Sequence, residues 1–435
     1  MPQELIQLNT RKIPVRVVLL ILLVAAAIWS YYVVRWYSGN TIAEYFDASE
    51  NNRRIAQMSV SLAPNDPLTH LRLARVTEQG LPLDQQGEAI AQYEKAVQLS
   101  PNDYRLWMAL GTASEQAGDP AKAEAALRRA LALAPAYAYP HWYLGNLLLR
   151  SGRYDEAFAE IRAASEADAD FQPQQFNLIW EIYGLDPEGL RRAAGESGLT
   201  RAKFALYLVG RQKYEEAMDL WESISPSDKR TNRESSEAMV DTLITNFRFR
   251  DAMKVWNEIT PDDKFHAETG RIFDPGFEDA GSYGPETAFG WRVTQVQNVQ
   301  VGIDPVKSHS GATSLQLAFH VRVNLDRIDV SQLVPVASNT EYELEFYVRS
   351  EKLETGGPTV VQVVDPTTSA VLATSPGAPG GTSDWARVEL TFKTGEKAEA
   401  VLIKIERPSC GTKEAPVCPI FGSVWYDDFS LKRRG

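Results

Sequence analysis

The sequence predicts a multidomain α plus β protein: a hydrophobic helix, then a solenoid of helical hairpins, then a C-terminal antiparallel β-sandwich. Three observations predict it. Small and large residues recur with a period of about 34 between positions 67 and 169. Val17–Val34 is an uncharged apolar run, and from Arg271 the chain changes to short alternating segments broken by Gly, Pro, Asn and Asp. At 435 residues the chain exceeds what one core fills, so two or three domains are expected.

The first element is the apolar run VVLLILLVAAAIWSYYVV, long enough to cross a hydrocarbon core as a helix. Arg11, Lys12 and Arg16 precede it, and Trp29, Tyr31, Tyr32, Trp36 and Tyr37 gather at its far end like an interfacial belt. The positive-inside rule puts residues 1–16 in the cytoplasm, 17–35 in the membrane and the bulk outside, periplasmic or extracellular. A signal peptide cut near Ala25–Ala27 is the competing reading, but the apolar run continues past those alanines, which favours an uncleaved anchor. Residues 36–66 are expected to form a polar helical stem ending at Pro64.

Residues 67–264 carry the solenoid. In DYRLWMALGTASEQAGDPAKAEAALRRALALAP (Asp103–Pro135), Trp107 and Leu110 share one helical stripe, and Gly111 lets a second helix approach. Ala123 faces that glycine, Leu127 fills the gap beside it, and Pro135 stops the second helix. Leu144–Gly145, Ala157, Ile161 and Ala164 repeat the pattern downstream; Ala89, Tyr93, Ala96 and Pro101 repeat it upstream. These spacings resemble the tetratricopeptide repeat, which implies a scaffold that binds a protein partner and performs no chemistry. The pattern weakens over Phe171–Ser197, then returns as Tyr214–Ala217–Trp221–Ile224 and Phe249–Ala252–Trp256–Ile259, giving about five hairpins. The concave groove is expected to present Arg105, Thr112, Gln116, Trp142, Asn146 and Arg150 to a peptide or helix. Trp142 buried between repeats is the alternative. The lysine–asparagine set that clamps C-terminal carboxylates in some repeat proteins is absent.

Residues 265–435 are expected to hold about ten strands: Arg271–Glu278, Gly290–Thr294, Val299–Asp304, Ser314–Val323, Ile328–Val336, Tyr342–Ser350, Thr359–Val364, Ala386–Lys393, Ala400–Glu406 and Val424–Leu431. In one of them Tyr342, Leu344, Phe346 and Val348 face the core and Glu343, Glu345 and Tyr347 face water. FDPGFED (Phe273–Asp279), HSGATSLQL (His309–Leu317), VSQLVPVASNTEYELEFYVRS (Val330–Ser350) and VWYDDFSL (Val424–Leu431) resemble a jelly-roll carbohydrate-binding module. That resemblance implies a structural calcium at Glu278 and Asp428, with carbonyls around Lys307–His309 and a further oxygen from Asp274 or Asp427. Solvated strand-end charges are the other reading of Glu278 and Asp428. Alternation puts His320 and Arg322 on a wet face, which Tyr347, Arg349, Gln362, Lys404 and Glu406 join to form a glycan-binding surface. Tyr347 is the one aromatic in that set; Trp291, Trp385 and Trp425 are assigned to core or rim. Cys410 and Cys418, in one Pro- and Gly-rich loop, are expected to form a disulfide, as export would allow; two free thiols in a reducing compartment are the alternative.

A net charge of −12 argues against nucleic acid, because neutralising phosphates needs a basic surface. Enzyme signatures are wanting: there is no Gly-x-Ser-x-Gly elbow, no His-Glu-x-x-His and no phosphate-cradling glycine loop. Asp427 and Asp428, adjacent on a strand, should point to opposite faces, which is wrong for a glycosidase pair. The sequence therefore reads as a non-catalytic, membrane-anchored scaffold in surface-polysaccharide assembly or export, its solenoid holding a protein and its sandwich touching glycan. The alternatives are a pure protein-interaction scaffold in the cell envelope, with a sandwich that only packs, and an unrecognised polysaccharide-active enzyme.

Overall fold

The computed structural model describes residues 13–45, 53–80, 87–261, 264–279, 288–294, 299–324, 328–407 and 419–434. They form two compact units, Met1–Gly195 and Glu196–Gly435.

The first unit opens with α1 (Ile13–Tyr45), one unbroken helix with an 18-residue window of mean hydropathy 2.6, long and apolar enough to cross a membrane. Its apolar side chains are exposed from Ile13 to Tyr37, but Gly39 and Ala43 are buried. They pack on α2 (Arg53–Leu62), so the segment expected as a stem is instead a helical hairpin built from the end of α1. Gly39 permits this: a Cβ there would stand 2.8 Å from Ala63 Cβ and 2.9 Å from the Ser59 carbonyl oxygen.

Four further hairpins follow: α3 (Pro67–Gly80) with α4 (Gly87–Leu99), α5 (Tyr104–Gln116) with α6 (Pro120–Leu133), α7 (Ala138–Arg150) with α8 (Tyr154–Ala167), and α9 (Gln172–Tyr183) with α10 (Pro187–Ala194). Asp103, Asp119 and Asp186 cap α5, α6 and α10 by accepting from the N–H of Arg105, Lys122 and Glu188. The predicted small-residue pattern holds, since a Cβ on Gly111 would lie 2.6 Å from Leu127 Cγ. The aromatic position does something the pattern did not reveal. Trp107 Nε1 donates to the Pro101 carbonyl at 2.9 Å, and ring nitrogens of His70 and His141 make the same contact with Pro64 and Pro135. The helices α3, α5 and α7 are thus each pinned to the turn before them.

The second unit joins α11 (Gly198–Gly210), α12 (Tyr214–Glu222), α13 (Pro226–Thr231), α14 (Arg233–Thr245) and α15 (Phe249–Ile259) to the strands. Its boundary falls inside the stretch read as one solenoid. Ala217, Trp221, Ile224, Phe249, Ala252, Trp256 and Ile259 are buried as expected. Contacts tie α15 to the sandwich: the Arg250 N–H donates to Glu399, and Asn257 brackets Ala267 with both amide atoms.

The strands are β1 (Trp291–Thr294), β2 (Val299–Asp304), β3 (Ser314–Asn324), β4 (Asp329–Pro335), β5 (Glu341–Thr355), β6 (Val360–Val364), β7 (Val371–Thr374), β8 (Gly381–Lys393), β9 (Ala400–Glu406) and β10 (Pro419–Arg434). They pair antiparallel in two five-stranded sheets, ordered β1-β4-β9-β6-β7 and β2-β3-β10-β5-β8. Tyr342, Leu344, Phe346 and Val348 face the shared core, as alternation requires. Two strand assignments differ. Arg271–Glu278 is a turn-rich segment: Asp274 and Phe277, three residues apart, adopt φ of +41° and +60°, which breaks the extended run a short strand needs. Its apolar residues serve the core all the same: Phe277 lies 5.1 Å from Trp291, ring centre to ring centre. Val371–Thr374, bounded by Ser and Pro and only four residues long, is a strand that periodicity missed.

Candidate functional site

The opening turn, the loop before β3 and the last strand meet in a knot of carboxylates. Glu278 accepts from the N–H groups of Ala312 and Thr313 at 2.9 and 3.3 Å. Gly311, at φ +61°, makes room: a Cβ there would fall 1.9 Å from Glu278 Oε1. Asp427 accepts from the N–H groups of His309 and Ser310, while Asp428 accepts from Ser310 Oγ and pairs with His309 Nδ1 at 2.6 Å. The two aspartates do not diverge as strand neighbours should. Asp428 sits at φ +51°, beside a register break between Asp427 and Ser430, and this bulge turns both carboxylates onto the same loop.

Asp427 is fully buried. Burial pushes its carboxyl up to about 6, with neighbouring Asp428 adding to the rise against the lowering effect of the N–H donors from His309, Asp428 and Ser310. A carboxyl raised in the folded state supports folding fully below its ordinary value near 3.8 and loses that contribution as pH rises through about 6. With divalent cations chelated, Asp427 is therefore expected to favour the folded sandwich more at pH 4 than at pH 7, against the opposite pull of Glu345 and Glu351, whose carboxyls Arg387 and Lys307 hold below their usual range. Asp427→Asn should flatten that dependence, as thermal unfolding across the range would record.

A hard cation suits part of this knot. The Asp427 and Asp428 oxygens each lie 3.6 Å from where a Gly276 Cβ would be, so two carboxylates border one small space that a side chain would fill. Glu278 borders the same space, its Cγ 3.7 Å from that point, whereas the other predicted ligands, Asp274 and the Lys307 carbonyl, are engaged elsewhere. Asp274 accepts from the N–H groups of Glu278 and Asp279, and the Lys307 carbonyl accepts from Ser314 Oγ.

The residues expected to form one glycan surface lie on two. His320, Tyr347 and Arg349 belong to β3 and β5, whereas Gln362, Lys404 and Glu406 belong to β6 and β9 of the other sheet, where Gln362 pairs with Lys404. The two sheets share one core, so their outer faces lie on opposite sides of the domain. Arg322 lies in β3, and its side chain falls outside the described residues, as do Cys410 and Cys418. His320 meets Gln300 at 3.2 Å, and Lys404 pairs with Glu406.

Of what gathers around Tyr347, Arg349 was in the predicted set, and His309 and Trp385 were not. His309 stacks on its ring at 3.6 Å and 15°, and Trp385 meets His309 edge-on at 5.9 Å. Arg349 pairs with Asp384 beside them. Trp425 is buried under the same loop, with Lys307 over its ring at 4.2 Å and Asp304 accepting from its indole N–H. One signal for this was legible: the HSG turn supplies both His309 and the glycine that fits Glu278. Below the cluster, Glu343, Glu345 and Glu389 bring carboxylate oxygens within 4.8 Å of one another, yet Arg387, Lys432 and Arg434 pair with them, and Arg387 holds the Glu345 carboxyl below its usual range. This is the wet stripe that alternation predicted.

In the helical unit, Trp142 leans on Phe171 at 4.9 Å, which places it between successive elements. Asn146 donates to the Trp142 carbonyl, Thr112 to that of Met108, and Arg150 forks onto Glu115 of α5 at 2.6 and 2.9 Å. Arg105 is exposed and paired with Asp103, and Gln116 is exposed. The accessible aromatics near Trp142 are instead Tyr137, Tyr139, Tyr143 and Tyr154, announced in part by the run AYAYPHWY.

Two matches to the tetratricopeptide repeat family cover residues 114–179 and 87–138. Residues 87–179 are tetratricopeptide repeats. No curated protein matches the chain by sequence. Among solved structures, the chain is similar to MamA, at 17% identity and a TM-score of 0.29, over 50% of this chain and 95% of that one. It is also similar to TmCBM61 in complex with β-1,4-galactotriose, at 18% identity and a TM-score of 0.28, over 38% and 98% of the two chains. A third is the CBM22-1 xylan-binding domain from Paenibacillus barcinonensis Xyn10C, at 18% and 0.25, over 38% and 97%. The sandwich itself is defined by the sheet order and registers given above.

Proposed function

We propose that this chain is a non-catalytic, membrane-anchored scaffold whose tetratricopeptide repeats hold a protein partner outside the cytoplasmic membrane. The observation that carries this reading is the union of the apolar helix and the helical array in one element, since α1 crosses from exposed apolar surface to packed hairpin without a break. The partner surface is the tyrosine-rich side of α7 and α8, where large amphipathic rings offer contact area at low entropic cost. The sandwich contacts glycan of a surface polysaccharide through Trp385, Tyr347 and Arg349. Ring faces there provide apolar stacking, and Arg349 with Asp384 supplies hydrogen bonds to hydroxyls. A calcium ion held by Asp427, Asp428 and Glu278 would fasten the loop that carries His309, with no part in catalysis.

One observation favours the second reading, in which the sandwich only packs: His309 already covers a face of Tyr347. Glycan-array binding of the full chain in detergent, with and without calcium, separates the two. Binding lost in Trp385→Ala supports the glycan reading; no specific binding, together with co-purification of a membrane protein, supports the pure scaffold. Calcium is expected to raise the melting temperature of the sandwich, and Asp428→Asn to abolish the rise; an unchanged melting curve removes the ion from the account.

A further inference from the structure

We propose that the turn between α2 and α3, Ser61–Leu68, rests on the phospholipid headgroups of the leaflet from which α1 emerges. The inference builds on the reading of α1 as an anchor. Trp36 is the decisive residue. With 51% exposure it belongs to the aromatic belt at the far end of the apolar run, yet its indole N–H donates to Asp66 Oδ2 at 2.7 Å. Asn40 donates to the same oxygen at 3.0 Å, and Arg35 to the Ser61 carbonyl at 2.7 Å. A helix rises about 1.5 Å per residue, so Arg35–Asn40 stands within about 10 Å of the last apolar residue. The headgroup layer extends roughly 5–8 Å beyond the hydrocarbon, so the turn bound to those residues lies at its level.

The chemistry of the turn agrees. Asp66 is the one ionisable residue in SLAPNDPL, and it is 6% exposed. Its Oδ1 accepts from the Leu68 N–H and its Oδ2 from α1, so no free acid meets an anionic surface. Ser61, Pro64, Asn65 and Leu68 are exposed, Leu68 by 42%. Small polar groups with one projecting leucine suit an interfacial position. The bilayer surface then fixes the tilt of the first hairpins, and the repeats leave the membrane at a preset angle.

The test uses the wild-type chain in nanodiscs of phosphatidylcholine and phosphatidylglycerol that carry a diazirine close to the headgroup, with adducts mapped by mass spectrometry. Adducts are expected on Trp29–Tyr37 and on Ser61–Leu68, each about tenfold above Tyr104–Gln116, which belongs to a later hairpin. Adducts on Trp29–Tyr37 with none on Ser61–Leu68 overturn the proposal and leave the anchor standing. Absence of adducts from Trp29–Tyr37 overturns the anchor and the proposal with it.

Discussion

Trp291→Ala is expected to lower the unfolding free energy of the sandwich by about 3–5 kcal/mol. The indole is fully buried at the start of β1, with ring centres of Phe277 and Phe429 both 5.1 Å away. Its N–H donates to the Asp274 carbonyl at 3.3 Å, which fastens the opening turn to the core. Truncation therefore removes the largest packing element where the first segment, β1 and β10 converge, and the rigid backbone around it cannot collapse to fill the space. Urea unfolding of the detergent-solubilised chain, followed by near-ultraviolet circular dichroism, reads the loss as a lower midpoint. Trp291→Phe keeps a ring and forfeits the weak hydrogen bond, so its effect should be less than half as large. Equal losses for the two variants would mean that the indole is held by its N–H and not by packing.

Gly39→Val is expected to destabilise the packing of α2 on α1 by about 1–3 kcal/mol. Two of the three nearest obstacles, the Ser59 carbonyl oxygen at 2.9 Å and the Ala63 nitrogen at 3.0 Å, are backbone atoms that no rotamer change can move. Overpacking must then outweigh the gain in helix propensity that any side chain brings over glycine. Gly210→Ala supplies the contrast, because nothing lies within 4 Å of its added Cβ. That substitution should stabilise α11 by about 0.5–1 kcal/mol. Hydrogen exchange of Ser59–Ala63 reports the local loss directly; unchanged protection in Gly39→Val would refute the close approach of α1 and α2.

Much of this architecture was legible because burial imposes periods. The Gly111–Ala123–Leu127 triad and the Tyr342–Val348 alternation each report which side of an element meets a neighbour, and the structure agrees at both. Phe277 shows where the inference fails. Its burial comes from a positive-φ turn that inserts an aromatic into the core, and no period encodes it. The site was legible one residue at a time but not as a set. Spacing along β6 and β9 says that Gln362, Lys404 and Glu406 are wet, while only strand order reveals that Tyr347 is wet on the opposite side. Likewise, the convergence of Asp427 and Asp428 depends on a bulge, and a strict strand would have separated them. Asp66 precedes a proline, where an aspartate resembles an ordinary helix cap. Its second role, accepting from Trp36, depends on a contact 30 residues away.

As an anchor, α1 has to deliver both units to the outer side of the bilayer. Trypsin added to intact spheroplasts, followed by an antibody to the last strand, tests this directly. The account predicts loss of the C-terminal epitope without permeabilisation. Survival of the epitope until the membrane is opened would contradict it.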